Sequence, residues 1–239
     1  MFMNLAAFKS TISQKLGFQF QQIMGADMNS QRWVEMLYRP QHMLGHINVE
    51  HFFRSLTSQQ KVDLDQSIFN QLPRILDTKN PQRLSINLMP ISLLSRKFRS
   101  NLRAMIDNQL IDPNKICIEI VEIHSMPPLG SSAIELIHYF RSKGGWIALD
   151  DFGSGFAHWE LLQMGLIDVI KVANQNIRRN NNTKSFTHGL AKFARSMGIN
   201  TVLEGVETQK DFDLGLKQGY KNFQGWYFND DYPTDGAGS

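Results

Sequence analysis

The chain has 239 residues, of which 42% are hydrophobic and 20% charged, a balance that excludes extended disorder and predicts one large α/β domain over residues 1–239. A formal net charge of +3 mildly favours anionic ligands and gives no sign of a long nucleic-acid footprint, so no DNA partner is expected. No apolar run reaches the roughly 18 residues of a membrane span, and the opening MFMNLAAFKSTISQKLG lacks the apolar core and cleavage site of a signal peptide; the expectation is a cytoplasmic protein with no membrane association.

In chain order, short apolar runs predict strands at Phe18–Ile23, Trp33–Tyr38, Leu84–Leu88, Ile116–Val121, Trp146–Leu149, Val169–Val172, Asn200–Leu203 and Lys221–Gln224. Most are apolar without alternation, as strands buried on both faces must be. Between the first two, Gly25-Ala26-Asp27-Met28-Asn29 leaves no room for a crossover helix and reads as a hairpin turn, which makes the first strand antiparallel to the second. Later segments carry helical stripes: Leu64, Ile68, Leu72 and Ile75; Ile134, Ile137 and Phe140; Leu190, Phe193, Ala194 and Met197. Arg178-Arg179-Asn180-Asn181-Asn182 reads as a mobile polar loop. The sum is a (β/α)8 TIM-like barrel, in which reactive side chains gather at the C-terminal strand ends.

Polar residues stand within or just after these apolar runs at Glu35, Asn87, Glu119, Asp150, Lys171, Glu204 and Gln224. Any one of them is explained by a helix cap or an ion pair. The same feature on strand after strand calls for a shared counter-charge, because a lone buried carboxylate costs several kcal/mol or stays protonated. The donors are all oxygen, which suits Mg2+ or Mn2+, and the adjacent Asp150 and Asp151 are placed to bridge an ion pair. Lys171 would stabilise developing charge and Glu204 would hold metal or position water.

These residues resemble the EAL-domain cyclic di-GMP phosphodiesterase family. Glu35-Met36-Leu37 with Arg39 is an E-M-L variant of E-x-L-x-R, Ile86-Asn87-Leu88 resembles V-N-L-S, and Glu119-Ile120-Val121-Glu122 resembles E-L-T-E. Leu149 to Phe156 resembles L-D-D-F-G-T-G-Y, Glu204-Gly205-Val206-Glu207-Thr208 is identical to E-G-V-E-T, and Gln224-Gly225-Trp226-Tyr227-Phe228 resembles Q-G-Y-x-F. The resemblance implies hydrolysis of cyclic di-GMP to linear pGpG with Mg2+ or Mn2+. It implies Glu35, Asn87, Glu119 and Asp150 as metal ligands, Asp151 as a second-metal contact, and Lys171, Glu204 and Gln224 as catalytic or water-ordering. Gln21, Leu37 and Arg39 would meet the nucleotide, and Glu122 and Glu207 would brace loops. A homodimer and a regulatory protein partner are further expectations.

Two departures stand out. Lys171-Val172-Ala173 replaces the family's K-I-D, and Gly155-Phe156-Ala157-His158-Trp159-Glu160 replaces the small, polar G-Y-S-S-L. They keep open a catalytically silent domain that binds cyclic di-GMP or a protein. Other features point to structure: Cys117 as core, His42 and His46 as surface residues, and Arg96-Lys97-Phe98-Arg99 with Arg103 as a solvated helix face. The D-F-G at residues 151–153 has no H-R-D before it or A-P-E after it, which sets aside a kinase.

Overall fold

A computed structural model describes residues 16–28, 32–40, 48–121, 128–152, 159–175 and 181–228, the last span with backbone only over 181–187. Eight strands close a barrel in sequential order: β1 (Phe18–Gly25), β2 (Trp33–Tyr38), β3 (Arg83–Leu88), β4 (Ile116–Val121), β5 (Trp146–Asp150), β6 (Val169–Ala173), β7 (Asn200–Glu204) and β8 (Asn222–Phe223). As expected, β1 is antiparallel to β2, with Gln21 opposite Glu35, and it also closes the barrel antiparallel to β8; the pairs from β2 to β8 are parallel. The turn after β1 is tied by the Met28 N–H donating to the Gly25 carbonyl at 3.0 Å.

The described helices are α1 (Val49–Ser55), α2 (Ser58–Phe69), α3 (Leu72–Lys79), α4 (Pro90–Leu94), α5 (Arg96–Asp107), α6 (Ser131–Ser142), α7 (Trp159–Gln163), α8 (Asn181–Ser196) and α9 (Gln209–Gln218). The stripe from Leu64 to Ile75 lies on two helices, not one. Pro73 sits in the first turn of α3, where its missing N–H is harmless, whereas a continuous helix would place that gap in the interior. The stripe on α8 is narrower than expected: Leu190 and Ala194 are buried, but Phe193 and Met197 are 38% and 53% exposed. Asn181 and Asn182 begin α8 instead of closing a loop, since asparagine suits a helix start as well as a turn; residues 178–180 fall outside the described residues, as do His42 and His46. Arg96 and Lys97 are exposed on α5 while Phe98 is buried, so the basic stretch is the solvated face foreseen.

Side chains alternate in and out along each strand, which splits the core in two. Outward residues such as Leu84, Ile118, Leu149, Ile170 and Leu203 pack against the helices in one large cluster. Inward residues Ile23, Trp33, Cys117, Ala148, Val169 and Val202 form a separate plug inside the barrel. The Trp33 indole N–H donates to Ser85 at 2.9 Å within the same layer. Cys117 is fully buried there, and burial pushes its thiol well above the ordinary range, so it is a core side chain.

Candidate active site

The plug fixes what lies above it. Two residues further along each strand the inward side chain changes character: Trp33 is followed by Glu35, Ser85 by Asn87, Cys117 by Glu119, Ala148 by Asp150, Val169 by Lys171, Val202 by Glu204 and Asn222 by Gln224. On the antiparallel β1 the step runs backwards, from Ile23 to Gln21. Register thus sets a polar layer directly on an apolar one.

The polar layer converges on Lys171, which is wholly buried. Its Nζ stands 2.7 Å from Glu119 Oε2, 2.7 Å from Glu204 Oε1, 3.1 Å from Glu35 Oε2 and 3.4 Å from Asp150 Oδ1. Glu35 is the second hub: Oε1 accepts from Asn87 Nδ2 at 2.8 Å and Oε2 accepts from Gln224 Nε2, which also donates to Gln21 Oε1 at 3.1 Å. The turns after β7 and β8 interlock to hold Glu204 and Gln224. The Val206 N–H donates to the Gln224 carbonyl at 3.0 Å, and the Tyr227 N–H donates to the Val206 carbonyl at 3.0 Å. Gly225 is needed there because a Cβ would lie 2.0 Å from the Val206 oxygen, and Gly205 adopts a φ of +66°. Thr208 makes a capping box with Asp211 on α9, so the tail of E-G-V-E-T is structural.

Four acids around one ammonium cannot all ionise cheaply away from water. Burial pushes the Glu119 carboxyl up to about 8, against the pull of Lys171 and with the push of Glu35 and Asp150. Burial also raises Glu204 and Asp150, although 18% and 17% of their side chains remain open to solvent, which tempers the effect. Glu35 goes the other way: burial opposes its ionisation, but Lys171, Gln224 and Asn87 together hold its carboxyl below the ordinary value. Burial likewise opposes charge on Lys171, and the surrounding carboxylates overcome it and hold the ammonium well above its usual range.

The site is therefore short of positive charge and rich in unused oxygen. Asn87 Oδ1, Glu119 Oε1 and Gln224 Oε1 are buried without a hydrogen-bond partner, and Asp150 Oδ1 has only the long ion pair to Lys171. Such orphaned acceptors are costly, and an all-oxygen donor set fits a hard divalent cation. Among the described residues no three acids form a finished ion cage, because Lys171 lies at their focus; the fit rests on donor chemistry. An ion held by Glu119 would compete with the proton that burial favours on that carboxyl. Mn2+ affinity is accordingly expected to tighten up to about tenfold per pH unit between about pH 6 and 8 and then level off. Calorimetry across that range checks this, and a flat profile contradicts it.

Beside the ring opens a cavity of about 400 Å3, lined by Leu37, Arg39, Phe53, Asp65, Asn87 and Asp150 among others. Leu37 and Arg39 thus face the cavity, with the Arg39 Nε held by Gln19 at 2.8 Å. The ring gathers Gln21, Glu35, Asn87, Glu119, Asp150, Lys171, Glu204 and Gln224. Asp151 stays outside it, exposed and at a left-handed φ of +52°. Glu207 is also exposed, and its backbone N–H donates to Asp211 Oδ2 at 3.2 Å. Glu122 and residues 153–158 lie outside the described residues. Trp159 opens α7 nearly half-exposed, its ring edge-on to Phe152 at 5.6 Å. Ala173 continues the inward phase one step above Lys171, half-buried and opposite Glu204 in register. Sequence reasoning missed the buried Asp65, whose signal was an acid in phase with Val62 and Phe69 on the apolar face of α2.

Known proteins resemble this chain in sequence and in fold. PdeB of Escherichia coli, named a probable cyclic di-GMP phosphodiesterase, is 29% identical over 170 residues, 71% of this chain and 32% of PdeB. The cyclic di-GMP phosphodiesterase RocR of Pseudomonas aeruginosa is 26% identical over 203 residues, 81% of this chain and 52% of RocR. The chain therefore spans about a third to a half of the length of these relatives. Among solved structures, an EAL domain protein from Listeria monocytogenes superposes with a TM-score of 0.76 at 19% identity, over 96% of this chain and 94% of that one. A cyclic di-GMP-bound standalone EAL protein from Vibrio cholerae gives 0.71 at 23% identity, over 89% and 90% of the two chains. The manganese and cyclic di-GMP complex of BlrP1 from Klebsiella pneumoniae gives 0.70 at 24%, over 90% of this chain and 55% of BlrP1. At these identities the likeness speaks for the fold. The EAL domain profile matches residues 6–230, almost the full length, and on that ground the chain belongs to the EAL domain family.

Proposed function

We propose that this chain is a divalent-metal-dependent phosphodiesterase that opens one phosphodiester bond of cyclic di-GMP to give linear pGpG. The observation that carries the reading is the ring of four carboxylates about Lys171, with buried oxygens left over, which meets through Asn87 and Asp150 a cavity within the size range of small-molecule sites.

Glu35, Asn87, Glu119 and Asp150 would hold the ion, with Asp151 at the rim for a second one. Held there, a divalent ion such as Mg2+ or Mn2+ would supply polarisation of a phosphoryl oxygen and a lowered pKa for water near neutral pH. The chain's own groups do the rest. Lys171 stays charged and faces the negative charge that develops at phosphorus. Glu204 takes the proton released by the attacking water, and Gln224 keeps Glu35 and that water oriented. Arg39 and Leu37 bind the nucleotide from the cavity side, and Gln21 from the ring, where it accepts from Gln224. Glu122 would brace the loop that begins at Asp150, and Glu207 is the second candidate for loop bracing.

A second reading, a silent domain that binds cyclic di-GMP or a protein partner, rests on Ala173. Its position one step above Lys171 is where a carboxylate would complete the mouth of the ring. The purified chain with Mn2+ and cyclic di-GMP is expected to release pGpG, and EDTA is expected to stop it; dinucleotide binding without hydrolysis would select the second reading. Ala173→Asp is expected to raise turnover or Mn2+ affinity about 10- to 100-fold. A variant no better than wild type would show that Ala173 is not the limiting defect.

A further inference from the structure

An acid that the proposed chemistry does not use is buried on the other side of Asn87. Asp65 of α2 is only 2% exposed. Its Oδ2 accepts from the Met89 backbone N–H at 3.0 Å and from the Ser92 hydroxyl at 2.5 Å. Met89 caps the short α4 without a side-chain cap bond, and Asp65, from another helix, satisfies the N–H of that capping residue. Two residues before Met89, Asn87 donates to Glu35. The exit of β3 is thus tied at two points, to the metal-seeking ring through Asn87 and to the helical layer through Asp65.

Packing does not explain an acid here. Val62 and Phe69, one turn to either side on the same face of α2, are apolar and buried, and an apolar residue would continue that face without the desolvation cost of a carboxyl group. Asp65, Met89, Pro90 and Asn87 also line the same cavity. We infer that Asp65 is a positioning residue, which fixes the β3–α4 turn so that Asn87 presents its free oxygen to the ion and the turn forms one wall of the nucleotide cavity. This inference rests on the reading of Asn87 as an ion ligand.

Burial pushes the Asp65 carboxyl up to about 8, so at neutral pH it is largely protonated and asparagine is a close mimic. That makes a rescue test possible. Mn2+ affinity by calorimetry and amide exchange over residues 86–95 by mass spectrometry are to be read on wild type, Asp65→Ala, Asp65→Asn and Ser92→Ala. Ile137→Val, a core change in α6, serves as a stability control. Asp65→Ala is expected to weaken Mn2+ binding about tenfold and speed exchange at residues 87–92. Asp65→Asn should restore both, Ser92→Ala should fall between, and Ile137→Val should leave affinity unchanged. If Asp65→Ala does not fold, the Ser92→Ala and Asp65→Asn results decide. Variants within twofold of a wild type that binds Mn2+ would overturn the positioning role alone. A wild type that does not bind Mn2+ would overturn the ion reading, and the positioning role with it.

Discussion

Lys171→Met is expected to destabilise the protein by about 3 kcal/mol near pH 8.5, to destabilise it much less near pH 5.5, and to cut turnover by about 10^3. The ammonium is the shared counter-charge for Glu35, Glu119, Asp150 and Glu204, all within 3.4 Å. Without it the acids retain protons to higher pH, so the deficit grows as pH rises and these protons are lost. Urea unfolding at the two pH values measures it. Mn2+ should recover more stability in the variant than in wild type, since it restores the missing charge. Equal deficits at both pH values would mean that Lys171 acts through packing and not through its charge.

Glu35→Ala and Glu119→Gln are expected to cut turnover to a similar degree, about 10^3, yet only Glu35→Ala is expected to lose stability. Glu35 has its pKa lowered in the folded state, so it contributes stability above the ordinary carboxylate range that is lost as pH falls. Its removal also strands the amides of Asn87 and Gln224, and a loss of about 1–2 kcal/mol at pH 8 is expected. Glu119 has its pKa raised to about 8, so its stabilising contribution is present at low pH and disappears as pH rises through 8. A neutral glutamine keeps an oxygen for Lys171 and removes that penalty, and Glu119→Gln should be as stable as wild type, or up to about 1 kcal/mol more stable, at pH 8.5. Thermal melts beside the hydrolysis assay read both effects. Loss of stability in Glu119→Gln at high pH would contradict the charge assignment within the ring.

The barrel was legible because its signals are local. Apolar runs such as Ile116 to Val121 read as strands buried on both faces, and Gly25 to Asn29 is too short for anything but a turn. The acids were legible too, since each stands within or just after an apolar run. The α2–α3 break was readable in principle from Pro73, but the apolar stripe runs through it and conceals it. The exposure of Phe193 and Met197 was not readable, because a stripe records which side is apolar and not how much of that side a neighbour covers.

Residue order established the strands and the polar groups at their ends, because both are local properties of the chain; which face of each strand points inward was decided by the closed barrel. It did not establish that Lys171 sits at the focus of four acids, that Glu35 and Glu119 are driven to opposite ionisation, or that Asp151 and Glu207 stand apart from the ring while Asp65 is buried against the β3–α4 turn. Those facts depend on distances of about 3 Å between residues as far apart as Glu35 and Gln224. They arise when closure of the barrel sets its stagger, removes water and lets charges from distant strands act on one another in a poorly screened interior.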